Sequence, residues 1–433
     1  MNAKKKGGRY IGQGSYGCVF GEPPLRCKGE KRSTRKVISK LLYIDDAVDE
    51  YNESSIWTRI DPKNEFSLSA LHKCRFDPSL VESSDETDKC NTEYIKPVLS
   101  GYDPGTLIFY PYGGKDLSKL KPKSTEYIHI IYGLYKLFGG LIIAHKNGVA
   151  HLDIKEPNIV CDISNDSATL RLIDFGLSID TLSVVSASKL NIYTVQYLYW
   201  PFELNVFNPS ISDHTTLESR YVEFYKTVRH YPKYFPARSY LQESGEPYPL
   251  SQFKDYIDAA KKFSITKLLT QADVYSVGLV LTKTVYNMFH HRIDEKNNIL
   301  VDGVSNPSDW HKNVLKHITG PILHLAMKMV ERDPSRRITM TLAKKELKKV
   351  IPKLTKYLLP NDVAIGLRGM NILGVEPTYK TIVTPLLPLT PSLKAANIDK
   401  LFNTLKPYKS TKKSHSRKKK TAESSGSIFN LSL

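Results

Sequence analysis

The most informative run of this chain is His151-Leu152-Asp153-Ile154-Lys155-Glu156-Pro157-Asn158, which is followed by Asp174-Phe175-Gly176. It presents in order a carboxylate, a cation, an amide and a second carboxylate. Phosphoryl transfer from a metal-bound nucleotide requires such a set, because the acceptor hydroxyl must be oriented, phosphate charge offset and Mg²⁺ held by oxygen ligands. Either motif alone would be a common loop or turn. The two together indicate a phosphotransfer site.

The two motifs resemble the H-x-D-x-K-x-x-N and D-F-G motifs of eukaryotic-type protein kinases. Small-molecule kinases share His-x-Asp, but Lys155 and the intact Asp-Phe-Gly favour the protein kinases. The resemblance implies an α+β, bilobal fold, with a small antiparallel β-sheet lobe carrying helix C and a larger, mainly α-helical lobe. It also implies Asp153 and Lys155 as catalytic residues, and Asn158 and Asp174 as ligands of Mg²⁺, with Mn²⁺ as an alternative ion.

A glycine-rich segment near the N-terminus predicts the phosphate-binding part of the ATP site. Its glycines let the backbone pass close to phosphates, and Glu22-Pro23-Pro24 excludes the following helix that a dinucleotide fold would need. The pattern therefore favours a β-hairpin over ATP. The predicted ATP-binding residues of this segment are Ile11, Gly12, Gln13, Gly14, Ser15, Tyr16, Gly17, Cys18 and Val19.

The lysine that holds the ATP phosphates should lie on the third strand, where Lys40 sits within an apolar run. Lys36 is the alternative, in a densely charged stretch. The carboxylate partner should lie on the next helix, on whose apolar face Ile56, Trp57 and Ile60 recur at helical spacing. We predict Glu53 as that partner, with Glu50 as the alternative, and expect the helix to end at Asp61-Pro62.

Three further residues resemble structural positions of the kinase family. Asp273 lies in a D-V-x-S-x-G pattern and would cap the catalytic loop, while Arg337 lies in D-P-x-x-R-x-T and would pair with Glu203. The Trp200-Pro201-Phe202-Glu203 stretch departs from the family's A-P-E. The gatekeeper, the residue at the back of the adenine pocket, would be Ile108 or Phe109.

The chain of 433 residues, with 41% hydrophobic and 24% charged residues, has the composition of a folded protein with more than one domain. We predict a short basic tail over 1–8, a small lobe over 9–111 and a large lobe over 112–359. Polar residues 63–88 and residues 204–270 are read as insertions. A C-terminal extension over 360–405 and a basic, disordered tail over 406–433 complete the prediction.

The five cysteines are odd in number and scattered, which predicts reduced thiols; zinc shared by His72, Cys74, Cys90 and Cys27 is disfavoured. We identify no secretory signal and no membrane span, because the apolar run 128–144 contains His129 and Lys136. These features predict a cytoplasmic or nuclear protein.

The basic tail carries eight Lys and Arg residues between 406 and 420 and contributes much of the net charge of +18. Such a run is most often solvated, but it could import the chain into the nucleus or contact nucleic acid nonspecifically. The expected partners are otherwise protein substrates, acidic ones among them, and no membrane.

Lys155 resembles the serine/threonine form of the kinase motif, and finer features resemble kinases encoded by large DNA viruses. Leu152 stands where many kinases carry an arginine that binds a phosphorylated activation loop. Since leucine cannot bind phosphate, we expect activity without phosphorylation of Thr181, Ser183, Ser186, Ser188 or Thr194. The alternatives are a scaffold pseudokinase, or a nucleic-acid-associated protein with an accessory kinase fold.

Overall fold

The computed structural model describes residues 8–14, 16–29, 36–81, 85–90, 92–120, 126–164, 167–181, 199–207, 262–290 and 320–356, and scattered runs of one to three residues from 219 to 258. The predicted extension over 360–405 and the basic tail over 406–433 lie outside these residues. So do Ser15 and most of the predicted activation segment, including Ser183, Ser186, Ser188 and Thr194.

The small lobe is built on a five-stranded antiparallel sheet in the order β1-β2-β3-β5-β4. Helix α1 (Ile44–Ile60) follows β3 with no connecting residue, so its position along the sheet is set by where β3 ends. The strands are β1 (Tyr10–Gln13), β2 (Gly17–Gly21), β3 (Val37–Tyr43), β4 (His72–Arg75) and β5 (Gly105–Pro111).

Helix α1 ends where the sequence predicts, because Asp61 stops it and organises the loop that follows. The Asp61 carboxylate accepts hydrogen bonds from the backbone N–H groups of Glu65, Phe66 and Ser67, at 2.9, 2.8 and 2.7 Å. A buried carboxylate is stable when several donors satisfy it in this way. The anchored loop then joins the large lobe, since Leu68 N donates to Leu172 O and Leu172 N to Phe66 O, each at 2.9 Å.

The large lobe is mainly helical and carries short strands around the catalytic loop. Helix α4 is the apolar 128–144 run, which forms a buried helix leading into that loop, as predicted. The described elements are α2 (Asp85–Asp88) and α3 (Lys96–Leu99) in the small lobe, then β6 (Lys115–Asp116), α4 (Glu126–Lys146), β7 (Val149–Ala150), β8 (Ile159–Ser164), β9 (Ser167–Leu172), β10 (Ile179–Asp180), α5 (Ile265–His290), α6 (Gly320–Met329) and α7 (Met340–Lys356).

The α+β class and the bilobal arrangement are confirmed. One large apolar core joins α4, α5, α6 and α7 in the large lobe and extends to Trp57 of α1. A second core lies under the small sheet, around Phe20, Leu41, Leu107 and Phe109. Within the described residues, no helix is long and apolar enough to cross a membrane.

The interpretation of residues 63–88 as an insertion is wrong in part. The segment contains β4, the edge strand that pairs with β5 through His72↔Phe109 and Arg75↔Thr106. Its polar character reflects that edge position, since the side chains of β4 alternate between half-buried and exposed. Sequence alone did not reveal β4 because Cys74 lies among charged neighbours rather than in an apolar alternation.

The prediction of reduced thiols is also wrong. Two disulfides join Cys18 to Cys90 and Cys27 to Cys74, and Cys161 is a free, buried thiol. Both disulfides link distant parts of the small lobe, across 72 and 47 residues, so their spacing in sequence gave no sign of the pairing. Within the described part of the chain, no group of three or more His, Cys, Asp or Glu side chains is arranged to hold a metal ion such as zinc.

Candidate active site

The catalytic loop is held by Asp273 of helix α5. Its carboxylate oxygens accept the backbone N–H groups of His151 and Leu152, each at 2.8 Å, and His145 Nε2 lies 3.0 Å from Oδ2. Asp273 is fully buried and Leu152 has a positive φ of 60°. A leucine rarely adopts this conformation, so the Asp273 contacts stabilise a backbone that would otherwise be strained.

Asp153, Lys155 and Asn158 converge on one point of this loop. Lys155 Nζ lies 3.1 Å from Asp153 Oδ1, and the Asn158 amide nitrogen donates to Asp153 Oδ2 at 2.6 Å and to Asp153 O at 2.9 Å. Both carboxylate oxygens of Asp153 are therefore engaged by donors, which orients the group. The arrangement can place an acceptor hydroxyl beside a carboxylate and a cation at once.

Asp174 and Asn158 carry side-chain oxygen atoms that could hold a divalent cation. The Asn158 amide nitrogen donates to Asp153, so the amide oxygen is the atom of this side chain that could bind a cation. The backbone N–H of Ile173 donates to the backbone carbonyl of Asn158 at 3.0 Å, which keeps the two segments together. Carboxylate and amide oxygens are the donors that Mg²⁺ prefers. These residues fit Mg²⁺. Asp174 has a positive φ of 65°, a second strained residue at the same site.

Lys40 lies on β3, as predicted, and Lys36 is an exposed residue that precedes the strand. The prediction that Glu53 pairs with Lys40 is wrong: Lys40 Nζ contacts Glu50 Oε2 at 2.6 Å. Burial by itself would lower the pKa of Lys40, but the Glu50 carboxylate and Asp174 outweigh it and raise that pKa to about 12. Lys40 is therefore a charged, fixed cation in the cleft.

Glu53 lies one turn further along α1, toward the Asp174-Phe175-Gly176 turn. A side chain at Gly176 would begin 3.7 Å from Glu53 Oε2. Burial, reinforced by repulsion from Glu50 and Asp49, raises the pKa of Glu53 to about 8. Glu53 therefore takes up a proton far more readily than an ordinary glutamate, while Glu50 is the ion-pair partner of Lys40.

Trp57 of α1 connects the small lobe to the catalytic loop, a role that sequence reasoning did not assign to it. Its ring stacks on Phe175, with centroids 4.9 Å apart, and meets the edge of His151 at 5.4 Å. Its Nε1 donates to Ser178 Oγ at 3.0 Å. Burial lowers the pKa of His151, which favours the neutral imidazole. Its Nδ1 then accepts a hydrogen bond from the backbone N–H of Asp153 at 3.2 Å.

The glycine hairpin has the predicted form. Strands β1 and β2 pair through Gly12↔Val19 and Gln13↔Cys18, and Gly14 N donates to Gly17 O at 2.9 Å. A Cβ at Gly17 would lie 2.5 Å from Leu41 O, so only glycine fits there. Ile11 is 45% exposed, whereas Cys18 is buried in the second core and disulfide-bonded to Cys90. Ser15 lies outside the described residues.

Arg337 and Glu203 form a fully buried ion pair in the large lobe. Arg337 also donates to Glu331 O at 2.8 Å and to Gln271 O at 3.1 Å. Such a pair fixes the segment after residue 199 against helix α5, because removing one member would leave a buried charge.

A network under the catalytic loop was not foreseen from sequence. Tyr199 donates to Glu156 Oε2, and Lys283 Nζ of α5 lies 3.4 Å from the same oxygen and also contacts the Tyr199 hydroxyl. Trp200 Nε1 donates to Leu152 O. The residues come from three distant parts of the chain, so no local pattern could have indicated the network.

Comparison with known proteins supports a protein kinase. Residues 106–203 match the family described as "Protein kinase domain". The chain is 36% identical over 87 residues to "Serine/threonine-protein kinase mos" of Patiria pectinifera, covering 18% of this chain and 22% of that protein. It is 27% identical over 175 residues to "Cyclin-dependent kinase C-3" of Oryza sativa subsp. japonica, covering 39% and 47%.

A third relative is "Mitogen-activated protein kinase p38b" of Drosophila melanogaster, 28% identical over 168 residues, covering 39% of this chain and 40% of that protein. The chain thus spans less than half the length of each of these relatives. The matched region runs from β5 through the catalytic loop to Glu203.

Proposed function

Because the chain has a bilobal protein-kinase fold, we propose that it transfers the γ-phosphate of ATP to serine or threonine hydroxyls of protein substrates. The observation that carries the proposal is the convergence of Lys155 and Asn158 on Asp153, opposite a preformed Lys40–Glu50 pair. The Asp174 carboxylate contributes to the raised pKa of Lys40, so the Lys40–Glu50 pair lies near the residue that follows the catalytic loop in the proposed site.

Each residue has a distinct task in this reaction. Asp153 orients the acceptor hydroxyl and receives its proton, while Lys155 offsets negative charge on the transferred group. Lys40, held by Glu50, positions the remaining phosphates. Asn158 and Asp174 would hold Mg²⁺, which when bound offsets the charge of the ATP phosphates.

The first test is transfer of label from γ-labelled ATP with Mg²⁺ to casein, to myelin basic protein and to the chain itself. We expect label on serine or threonine, and a fall of about 10²–10⁴ in rate for Asp153→Asn, because a positioned base contributes roughly that factor. Lys155→Ala tests the neighbouring cation. Absence of label from a folded, ATP-binding wild type would instead support the scaffold pseudokinase.

The same proposal includes activity without activation-loop phosphorylation. Leu152 is 3% exposed and packs in the large core, so no cation stands there to bind a phosphate. Thr181 is 4% exposed, and its hydroxyl donates to Gly148 O at 2.7 Å, so it is a structural residue. We expect phosphatase-treated protein, checked by mass, to keep its rate within about twofold. A large loss of rate would contradict this.

Partners and location complete the proposal. Protein substrates, acidic ones among them, are the proposed partners, with nonspecific nucleic-acid contact through the basic tail. A cytoplasmic or nuclear site of action and the finer resemblance to kinases of large DNA viruses rest on sequence features alone. The two disulfides run against the expectation of a reducing compartment, and they favour an oxidising setting for at least part of the protein's life.

A further inference from the structure

Glu50 receives hydrogen bonds from two strands at once. Lys40 Nζ of β3 contacts Oε2 at 2.6 Å, and the Tyr110 hydroxyl of β5 donates to Oε1 at 2.7 Å. Both oxygens of the carboxylate are thereby occupied. Nothing in the motif-based description of the site includes Tyr110, which lies at the end of β5.

The sheet register explains why Tyr110 can reach Glu50. Lys40 pairs with Ile108 and Ile38 pairs with Tyr110, so all four side chains lie on the face of the sheet that α1 covers. Phe109 points to the other face, where its ring stacks on His72 with centroids 4.4 Å apart. Ile108, not Phe109, therefore faces the cleft.

Helix α1 offers Lys40 two carboxylates one turn apart, Glu50 and Glu53. Both act electrostatically on Lys40, but only Glu50 contacts it. The Tyr110 bond is what distinguishes the two acids, because it adds a second donor to Glu50. Burial and the nearby Glu50 carboxylate raise the pKa of Tyr110 well above its ordinary value, so the phenol remains a donor over the whole physiological pH range.

We propose that Tyr110 is a positioning residue: by donating to Glu50 it selects the Lys40–Glu50 pair over a Lys40–Glu53 pair and so sets where the lysine charge lies. This inference rests on the proposed kinase function. Tyr110 also packs against the small cluster of Leu42, Ala47 and Ile108. Tyr110→Phe keeps that packing and removes only the hydroxyl.

The first measurement is kcat and KM for ATP in Tyr110→Phe. A hydrogen bond to a charged group is worth enough for a roughly tenfold fall in kcat if Lys40 contacts phosphate more strongly in the transition state. We expect KM for ATP to change less than about threefold, since the glycine hairpin still binds the nucleotide. A role in packing alone would lower the thermal midpoint and leave kcat unchanged.

A rescue experiment separates selection from other roles of the hydroxyl. In Tyr110→Phe, Glu53→Gln removes the competing carboxylate, so Lys40 should return to Glu50 and kcat should recover at least about threefold relative to Tyr110→Phe. In the Glu50→Gln background, Tyr110→Phe should lower kcat by less than about a further twofold, because the acceptor of the Tyr110 hydroxyl is already altered. Absence of rescue, or an equal loss in both backgrounds, overturns the proposal.

A readout independent of catalysis separates this inference from the proposed function. In protein labelled with ¹³C-lysine, the Lys40 ε-carbon resonance, assigned through Lys40→Arg, should move in Tyr110→Phe and return in Tyr110→Phe/Glu53→Gln. If the wild type transfers no phosphate yet the resonance behaves in this way, the proposed function fails and Tyr110 keeps its role. A resonance that does not move overturns the role of Tyr110, whether or not the enzyme is active.

Discussion

Trp57 is the residue through which helix α1 contacts the catalytic loop. Its indole touches Phe175 and His151 and donates to Ser178, and it is fully buried. Because Glu50 lies on the same helix, the position of the Lys40 ion pair depends on this aromatic contact. The periodicity of α1 placed Trp57 on the buried face, but it could not name the residues against which the ring packs.

For Trp57→Ala we expect the free energy of unfolding to fall by about 3–5 kcal/mol, because a large buried aromatic side chain is removed. Trp57→Phe should keep part of the stacking and cost less. The measurement is urea unfolding together with kcat. Ser178→Ala is the matched control: it removes the Nε1 partner, with a long hydrogen bond to His151 O, and should cost about 1 kcal/mol. Near-equal losses for Trp57→Ala and Ser178→Ala would contradict the importance of stacking.

Glu53 predicts a pH dependence of stability. Its folded-state pKa, about 8, lies above its ordinary value of 4.5, so the folded protein binds the proton more tightly than the unfolded chain. The contribution of Glu53 to the free energy of unfolding is therefore fully present below about pH 4.5 and is lost as pH rises through about 8. Because Glu53 is half-buried, we expect the loss to be on the order of 2 kcal/mol.

Glu53→Gln should abolish that part of the pH dependence. In metal-free buffer, we expect the variant to unfold at higher urea than wild type at pH 9, and at similar urea at pH 5. Parallel stability curves for the two proteins from pH 5 to pH 9 would show that Glu53 is ionised throughout. Asp77→Asn, at a partly exposed carboxylate bonded to Ser79, is the control for general charge effects.

At the scale of elements, the direct join of β3 to α1 brings both Glu50 and Glu53 close to Lys40, and the Tyr110 hydrogen bond acts on that pair of acids. Glu50 lies seven positions before Trp57 and Glu53 lies four positions before it. At 3.6 residues per turn, both acids therefore lie within about 40° of Trp57 around the helix axis. Periodicity could not distinguish them. They differ by about 4.5 Å along the helix axis, and only the start of the helix at Ile44 settles that distance.

The two disulfides cross-link the elements of the small lobe. Cys18–Cys90 ties the glycine hairpin to the segment before α3, and Cys27–Cys74 ties the chain before β3 to the edge strand β4. For Cys27→Ser/Cys74→Ser we expect a loss of about 2–4 kcal/mol in unfolding free energy, because loops of this length gain entropy in the unfolded chain. The measurement is urea unfolding without reductant.

A reductant provides the matched test. Dithiothreitol should lower the thermal midpoint of wild type and should have a smaller effect on the double variant, which has already lost one disulfide. Cys161→Ala, which removes the buried free thiol, should respond to dithiothreitol as wild type does. Five reactive thiols in unreduced, unfolded wild type would show that neither disulfide forms.

At the scale of the whole molecule, charge is distributed unevenly. The run from 406 to 420 carries eight basic residues and no acidic one, within a net charge of +18. We expect deletion of 406–433 to abolish nucleic-acid retention and to leave phosphate transfer to casein within about twofold. Retention by the full chain should fall steeply between 50 and 200 mM salt, because backbone contacts release counterions. Retention that survives the deletion would place the contact elsewhere.

The amino-acid sequence by itself determined the fold class, the catalytic motifs and the strand of Lys40, because these depend on residue types at short, regular spacings. The apolar run over 128–144 also predicted α4, and the Asp61-Pro62 pair predicted the end of α1. Tertiary structure alone decided that Glu50 rather than Glu53 meets Lys40, that Tyr110 donates to Glu50, and that the cysteines pair. The Tyr110 contact and the disulfides depend on distances between segments 47 to 72 residues apart in the chain, and the choice of Glu50 depends on how helix α1 lies against the sheet. Local spacing encodes neither, because both are set by packing.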